Sequence, residues 1–417
     1  MWRALYQSSR RWIQLCVALV LLVYLFITIR VGKSIIMKVL PRGIRADAMR
    51  STTILRPEYQ NQSQTAENQL WGDLALGGDA LQMMIPVLAD QSPYVDLPLT
   101  KDPRHRISEC PSSLRQKVNT SAWFRGRFVE GVKLFMDLDD VDPAYWMAHM
   151  PYNKLPFGYQ DENKTAVERM VRALKNPDIF GPSVTEDTRR RCIRCAVVGS
   201  GGVLKGSKRG AEIDAHDYVF RVNHAHMQEF AEDVGRETSF YAFYPESYHR
   251  GDPILAVSDA LQLFIPYKGF DIDYMVGWLT ERRILLLIQE CGEKVCKYRF
   301  PLNPNVNETT VKVLHPDFIR YAFSHHLNSS RANRPTTGFL TVLLALQLCD
   351  HVSVYGFGYD ARFPLYYYYD ARRSFDEMKS SNHYTTDELN TWNTLHEEGI
   401  IYWYNGQNET LDTFTGH

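Results

Sequence analysis

Two short stretches of this chain carry residue types that could hold a phosphate. In CAVVGSGGVLKG, residues 195–206, an apolar run breaks into Gly199, Ser200, Gly201 and Gly202. Clustered glycines let backbone N–H groups come close to an anion, and a helix starting behind such a turn adds a favourable dipole. In RPTTGFL, the adjacent hydroxyls of Thr336 and Thr337 precede Gly338 and an apolar run, a start that suits a phosphate or a plain helix cap. A dinucleotide fingerprint needs a third glycine where Leu204 stands, so the first stretch is not that motif. On its own it is equally consistent with a tight strand exit that holds nothing.

Such turns need strands to hold them. CAVVG reads as a buried parallel strand ending at the glycines, and DYVFRVN, FYAFY, ALQLFIPY and HVSVYGFG read as further strands. IDYMVGWLTERRILLLIQE and TTGFLTVLLALQLCD are of helical length, and KTAVERMVRALKN has helical spacing. The alternation predicts an α/β domain, Rossmann-like, with a mostly parallel central sheet flanked by helices. Asn223 then falls at the carboxyl end of the second strand, the edge where ligands bind in open sheets of this kind.

Charge excludes one class of partner. The 417 residues include 47 Lys and Arg against 48 Asp and Glu, a formal net charge of −1, so bulk electrostatics give no reason to expect nucleic acid. Trp12 to Ile29 (WIQLCVALVLLVYLFITI) is an uncharged, mostly apolar run between Arg11 and Arg30, about long enough to cross a hydrocarbon core as a helix. No small-x-small cleavage site follows it, so a retained N-terminal transmembrane helix is expected. Basic residues on both sides leave its orientation undecided. Six N-x-Ser/Thr sequons (Asn61, Asn119, Asn163, Asn307, Asn328, Asn408) and six of the seven cysteines lie downstream. Together they favour a cytosolic tail at 1–11, a signal anchor at 12–29 and a lumenal body. Residues 30–105, polar and rich in Gln, Asp and Pro over most of their length, read as a stem, and 106–417 as the catalytic domain.

Four motifs in order carry a specific likeness. RCIRCAVVGSGGVLKGSKRGAEIDAHDYVFRVNHA, continued by DVGRETSFY, resembles the large sialyl motif of the animal sialyltransferases, glycosyltransferase family 29. RPTTGFLTVLLALQLCDHVSVYGFG resembles their small motif, YYYYD (Tyr366 to Asp370) stands at the place of the third, and HYTTDE (His383 to Glu388) matches the very small motif, His-x4-Glu. The likeness runs from about Cys110 to Gln407. It implies a GT-A-like sialyltransferase variant of the α/β fold, CMP-sialic acid as donor, and no metal or other cofactor. It further implies that Cys195 bridges Cys349 and that Cys110 bridges Cys192. By spacing alone, Cys192 and Cys195 could instead be a redox pair or half a zinc site, the latter opposed by the lack of a second such pair. Cys291 and Cys296 remain and could close a small loop, while Cys16 lies in the span.

The same resemblance puts Ser200, Gly201, Asn223, Thr336, Thr337, Gly338 and Gly358 around the donor nucleotide. His383 is the implied general base, because an imidazole titrates near neutral pH and can take the proton of an acceptor hydroxyl as it attacks the anomeric carbon. Glu388 either orients a ring nitrogen, sits in the acceptor site, or is a solvated carboxylate at a helix start. Two positions depart from the family pattern. Ser200 stands where relatives often have Asn, and its hydroxyl can still bond phosphate or ribose. Tyr367 stands where the third motif usually opens with His; a phenol donates one hydrogen bond to a leaving phosphate but carries no positive charge at neutral pH. Lower activity or a changed pH profile is expected to follow. The Asp-x-Asp triplets Asp137 to Asp139 and Asp271 to Asp273 lie outside the motifs, and a donor with one phosphate needs no pyrophosphate clamp.

For the acceptor, CPSSL, WFRGRF, LFMDLDD, LPFGY, KVLHPDFIRY and LHEEGII are most similar to the α-2,6 enzymes acting on N-acetylgalactosamine linked to Ser or Thr. YPES and IPYKGFDIDYM are similar to the α-2,3 enzymes acting on galactose. The expected function is transfer of N-acetylneuraminic acid to O-glycan GalNAc in α-2,6 linkage by inverting displacement, with α-2,3 transfer to β-galactosides as the alternative. A sialyltransferase-like lectin or partner protein without turnover is the second alternative. A nicotinamide oxidoreductase is opposed by the failed fingerprint and by the anchor with lumenal cysteines. The implied partners are CMP-sialic acid, a glycoprotein or glycolipid acceptor and the Golgi membrane, with the protein single-pass, type II.

Overall fold

The computed structural model describes residues 98–149, 155–159, 162–175, 191–223, 225–247, 260–281, 306, 308–327, 334–358, 362–374 and 385–406. The chain divides into compact units Met1–Gln82 and Met83–His417, and every described residue belongs to the second. The anchor at 12–29, Cys16, Cys291, Cys296, His383 and the sequons at Asn61, Asn307, Asn328 and Asn408 lie outside the described residues, while Asn119 and Asn163 are described and exposed. Among the described residues no helix is long and apolar enough to cross a membrane.

All five strands expected from sequence are present: β1 (Arg194–Val198), β2 (Tyr218–Val222), β3 (Phe240–Phe243), β4 (Leu261–Phe264) and, after β5 (Val311–Val313), β6 (His351–Tyr355). A hairpin of β7 (Leu365–Tyr367) and β8 (Asp370–Ser374) follows, and β9 (Tyr402–Tyr404) completes the set. The main sheet has the order β5-β4-β3-β2-β1-β6-β9. Each of its pairings is parallel. A parallel sheet must be covered on both faces, and β1 shows why its run is continuously apolar. Cys195 and Val197 enter one core, Ala196 and Val198 the other, as the two-residue period of a strand requires.

Two helices that bear on the site cover one face. The helix α3, numbered after α1 (Lys164–Ala173) and α2 (Gly269–Val276), spans Thr337–Leu348 and is buried along its whole length, which suits its lack of a polar stripe. The other is α4 (Thr385–Glu397), whose Trp392 packs on Phe339 of α3 with ring centroids 5.0 Å apart. Val167 and Met170 of α1 and Ile272 of α2 belong to the second core. Cys195 is bonded to Cys349, the C-cap of α3, and Cys110 to Cys192 just ahead of β1. Cross-links of this kind stabilise small domains by about 2–4 kcal/mol, largely by restricting the unfolded chain.

Residues 98–105, whose composition reads as stem, bond to the body. Asp317 accepts the Thr100 N–H at 2.9 Å and its hydroxyl at 2.6 Å, and Arg320 donates to the Pro98 carbonyl at 2.7 Å.

Candidate active site

From β1 the chain adds β2 to β5 on one side and returns to place β6 on the other, so the strand order reverses beside β1. The crevice outside the carboxyl ends of such strands is where ligands bind in open α/β sheets. A cavity of about 290 Å³ opens there. The exits of β1, β2 and β6, the start of α3, the β7 strand and the first turns of α4 all contribute to its wall.

Ser200, Gly201, Asn223, Thr336, Thr337, Gly338, Gly358, Tyr367 and Glu388 all line this one cavity. Thr385, two places after His383, lines it too.

The glycines have a reason that sequence did not disclose. Gly199 donates its N–H to the Tyr355 carbonyl at 2.8 Å, and Gly201 donates to the Gly356 carbonyl at 2.9 Å. A Cβ on either would lie 2.6 Å from the Gly356 oxygen, a backbone atom that cannot swing away. The two strand exits therefore meet only because both lack side chains. Those two amides are engaged, which narrows the expected phosphate cradle to its hydroxyls and remaining N–H groups.

Asn223 follows β2 with φ of 31°, in the left-handed region that non-glycine residues seldom enter. Its N–H donates to the Ala242 carbonyl at 3.3 Å, its own carbonyl accepts the Ser200 hydroxyl at 3.3 Å, and its side-chain Oδ1 is buried with no partner. A buried acceptor left open in a cavity wall is the feature a ligand donor would satisfy.

At the start of α3, the Thr336 hydroxyl accepts the Phe339 N–H at 3.0 Å, the ordinary N-cap bond. The same residue donates its N–H and its hydroxyl to the two oxygens of Glu388, each at 2.8 Å. Glu388 is 7% exposed, so it is not the solvated carboxylate that a helix-start position allows. Burial pushes its pKa up to about 7, against the pull of the Thr336 bonds. It therefore clamps the cap whose next residues, Thr337 and Gly338, face the cavity.

Three of the four tyrosines of the run, Tyr366, Tyr367 and Tyr369, line the cavity. Tyr367 and Tyr369 stack with centroids 5.0 Å apart on the cavity side, while Tyr368 turns inward, 1% exposed, and donates its hydroxyl to the His226 carbonyl at 2.8 Å. Tyr367 also forms an isolated bridge with Gly201. Both Asp-x-Asp triplets begin with a structural carboxylate. Asp137 accepts from Lys133 at 2.8 Å and from the Asp139 N–H at 3.0 Å, and Asp271 accepts the N–H groups of Tyr267 and Lys268. Cys110, Cys192 and His351 lie at metal-ligand spacing among the described residues, but the two sulfurs are bonded to each other.

Sequence reasoning did not name Tyr244, Tyr366, Tyr369 or Trp392 as site residues, and all four line the cavity.

Residues 135–400 match the family profile described as Glycosyltransferase family 29 (sialyltransferase). The chain is 32% identical over 315 residues to human alpha-N-acetylgalactosaminide alpha-2,6-sialyltransferase 2, across 71% of this chain and 82% of that protein. It is 30% identical over 298 residues to human CMP-N-acetylneuraminate-beta-galactosamide-alpha-2,3-sialyltransferase 1, across 70% and 81% respectively. A mammalian sialyltransferase solved in complex with Gal-beta-1-3GalNAc-ortho-nitrophenol is similar in structure, with a TM-score of 0.54 and 26% identity, over 72% of this chain and 100% of that one.

Proposed function

The chain belongs to glycosyltransferase family 29, the sialyltransferases, and from that premise we propose that it moves N-acetylneuraminic acid from CMP-sialic acid to O-linked GalNAc in α-2,6 linkage. The observation that supports this most is the convergence of the glycine turn, the Thr337 and Gly338 helix start, Tyr367 and Glu388 on one cavity. The acceptor oxygen attacks the anomeric carbon as the bond to the CMP phosphate breaks, which inverts that centre. His383 takes the acceptor proton, and the Tyr367 hydroxyl donates to the departing phosphate oxygen. Asn223 Oδ1 accepts from a hydroxyl or amino group of the donor, and Glu388 keeps the α3 cap in place. No metal takes part, so a chelator should leave turnover unchanged. The protein works from a type II anchor in the Golgi membrane.

The α-2,3 reading has a specific observation of its own, since the α-2,3 relative is nearly as similar as the α-2,6 one. The test is incubation of the full chain with CMP-sialic acid and four acceptors: an O-GalNAc peptide, galactosyl-GalNAc, a lactosyl lipid and an N-glycan. An α-2,6 product on the GalNAc peptide is expected. An α-2,3 product on galactose makes the second reading the right one, and absence of any product leaves the lectin or partner role.

A further inference from the structure

The carboxylate that holds the start of α3 shares a wall with the proposed donor site. Glu388, in the first turn of α4, lines the cavity together with Thr336, Thr337 and Gly338. Its two oxygens take the N–H and the hydroxyl of Thr336, the N-cap of α3, so an anion of the protein itself already sits at the positive end of that helix. Burial raises its pKa to about 7, the Thr336 bonds pull it down, Asp387 pushes it up, and it makes no salt bridge among the described residues. The other titratable groups around it are phenols: Tyr267, which interacts with it electrostatically, and Tyr244, Tyr366, Tyr367 and Tyr369 on the cavity wall. Arg334 is engaged over the Tyr267 ring, 4.6 Å from its centroid.

A ligand with a phosphate brings a second negative charge into the same small cavity, and two like charges in one buried site disfavour each other's ionised form. A proton on Glu388 removes that conflict. It also changes the hydrogen bonding, because the carboxyl can then donate to the Thr336 hydroxyl across the same 2.8 Å. That oxygen has one lone pair for the Phe339 N–H and one for the carboxyl proton, so its own hydrogen is released to serve a ligand. Protonation therefore turns a repelling anion into a relayed donor.

We propose that Glu388 is a proton-linked positioning residue: the site takes up a proton at this carboxylate when it binds an anionic nucleotide, and none when it binds a neutral nucleoside. The identity of that nucleotide as a cytidine monophosphate ester rests on the proposed function.

The test is calorimetric titration of the full chain in detergent with cytidine and with the 5′-methyl ester of CMP, whose phosphate keeps a single charge from about pH 6 to about pH 8.5. Because the proton is gained on binding, affinity for the ester should fall about fivefold to tenfold as pH rises through that range, and affinity for cytidine less than about twofold. Heats compared in Tris and in HEPES near pH 8 should report uptake of about half a proton with the ester and none with cytidine. Glu388→Gln, which copies the neutral side chain, should bind the ester without uptake and without pH dependence, whereas His383→Gln should keep both. Uptake that persists in Glu388→Gln or vanishes in His383→Gln overturns the proposal, as does cytidine binding that follows the ester, since a merely structural role would move both ligands alike. Melting curves show whether the variants fold. Should Glu388→Gln not fold, the wild type and His383→Gln still decide, because ester binding independent of pH in either overturns the proposal. Failure of the wild-type protein to bind the ester at any pH is a distinct result, which removes the donor reading and this inference with it.

Discussion

The cavity beside β1 and the cluster around His315 are built from the same kinds of residue, and they differ in what they leave open. His315 is wholly buried just after β5; its Nδ1 lies 3.0 Å from the Asp317 N–H, and its Nε2 lies 3.1 Å from Asp140 and 3.0 Å from the Tyr145 hydroxyl. Lys133 bonds Asp140 at 2.6 Å and Asp137 at 2.8 Å, and Asp317 bonds Thr100 and Arg320. Burial alone would raise the Asp317 carboxyl, yet His315 and Arg320, with Thr100, hold it down at about 2. An imidazole, carboxylates, an ammonium and a phenol thus close into a network that fastens residues 98–105 to the exit of β5. In the cavity, by contrast, the buried Asn223 Oδ1 has no partner. Residue types alone do not mark a site; unsatisfied polar groups around an opening do.

This contrast can be broken at several points, the largest first. His383→Ala should lower turnover by about 10²–10⁴-fold with an unchanged melting curve, and a loss below tenfold removes it as the base. Asp140→Ala leaves His315 without its carboxylate and Lys133 with Asp137 alone, and should cost about 2–4 kcal/mol in denaturant unfolding. Its turnover per folded molecule should stay within about twofold; a larger fall would make the cluster part of the site. Gly201→Ala pushes a Cβ against the Gly356 carbonyl, so both properties should suffer, with about 1–3 kcal/mol lost along with donor affinity.

Acidity separates the two regions as well. Glu388 is raised from 4.5 to about 7, so the folded state holds a proton that the unfolded chain releases. Its contribution to stability is present below about pH 4.5 and lost as pH rises through about 7. Glu388→Gln should flatten that slope and weaken the α3 cap by about 1 kcal/mol. Asp317 has the opposite sign: held down from 3.8 to about 2, it stabilises the fold above about pH 4 and loses that effect as pH falls through about 2. Unfolding measured across pH in the wild type and in Glu388→Gln checks both. The smallest effect is expected at Tyr367→Phe, which should cut turnover about fivefold to tenfold with stability unaltered; an unchanged rate argues that this phenol does not serve the leaving group.

Five strands and the start of α3 were legible because each shows itself locally, as an apolar run with a turn or a capping hydroxyl. The three-residue strands β5 and β9 were not, since Val311–Val313 and Tyr402–Tyr404 are too short to show a period and become strands by pairing with β4 and β6. The residues that line the cavity were legible as a set through their motifs, but what several of them bond to was not. Glu388 reads equally as a partner of a ring nitrogen, an acceptor-site residue or a solvated carboxylate until Thr336, 52 positions away, is seen to hold both its oxygens. Gly201 reads as a phosphate turn until Gly356 is seen to take its N–H. The sequence by itself determined five of the strands, the motif order and which side chains fall near the strand exits, because these depend on neighbours along the chain. Only the tertiary structure decided which of those groups are engaged and which stay open, because hydrogen bonds are satisfied through space, as between His315 and Asp140, 175 residues apart.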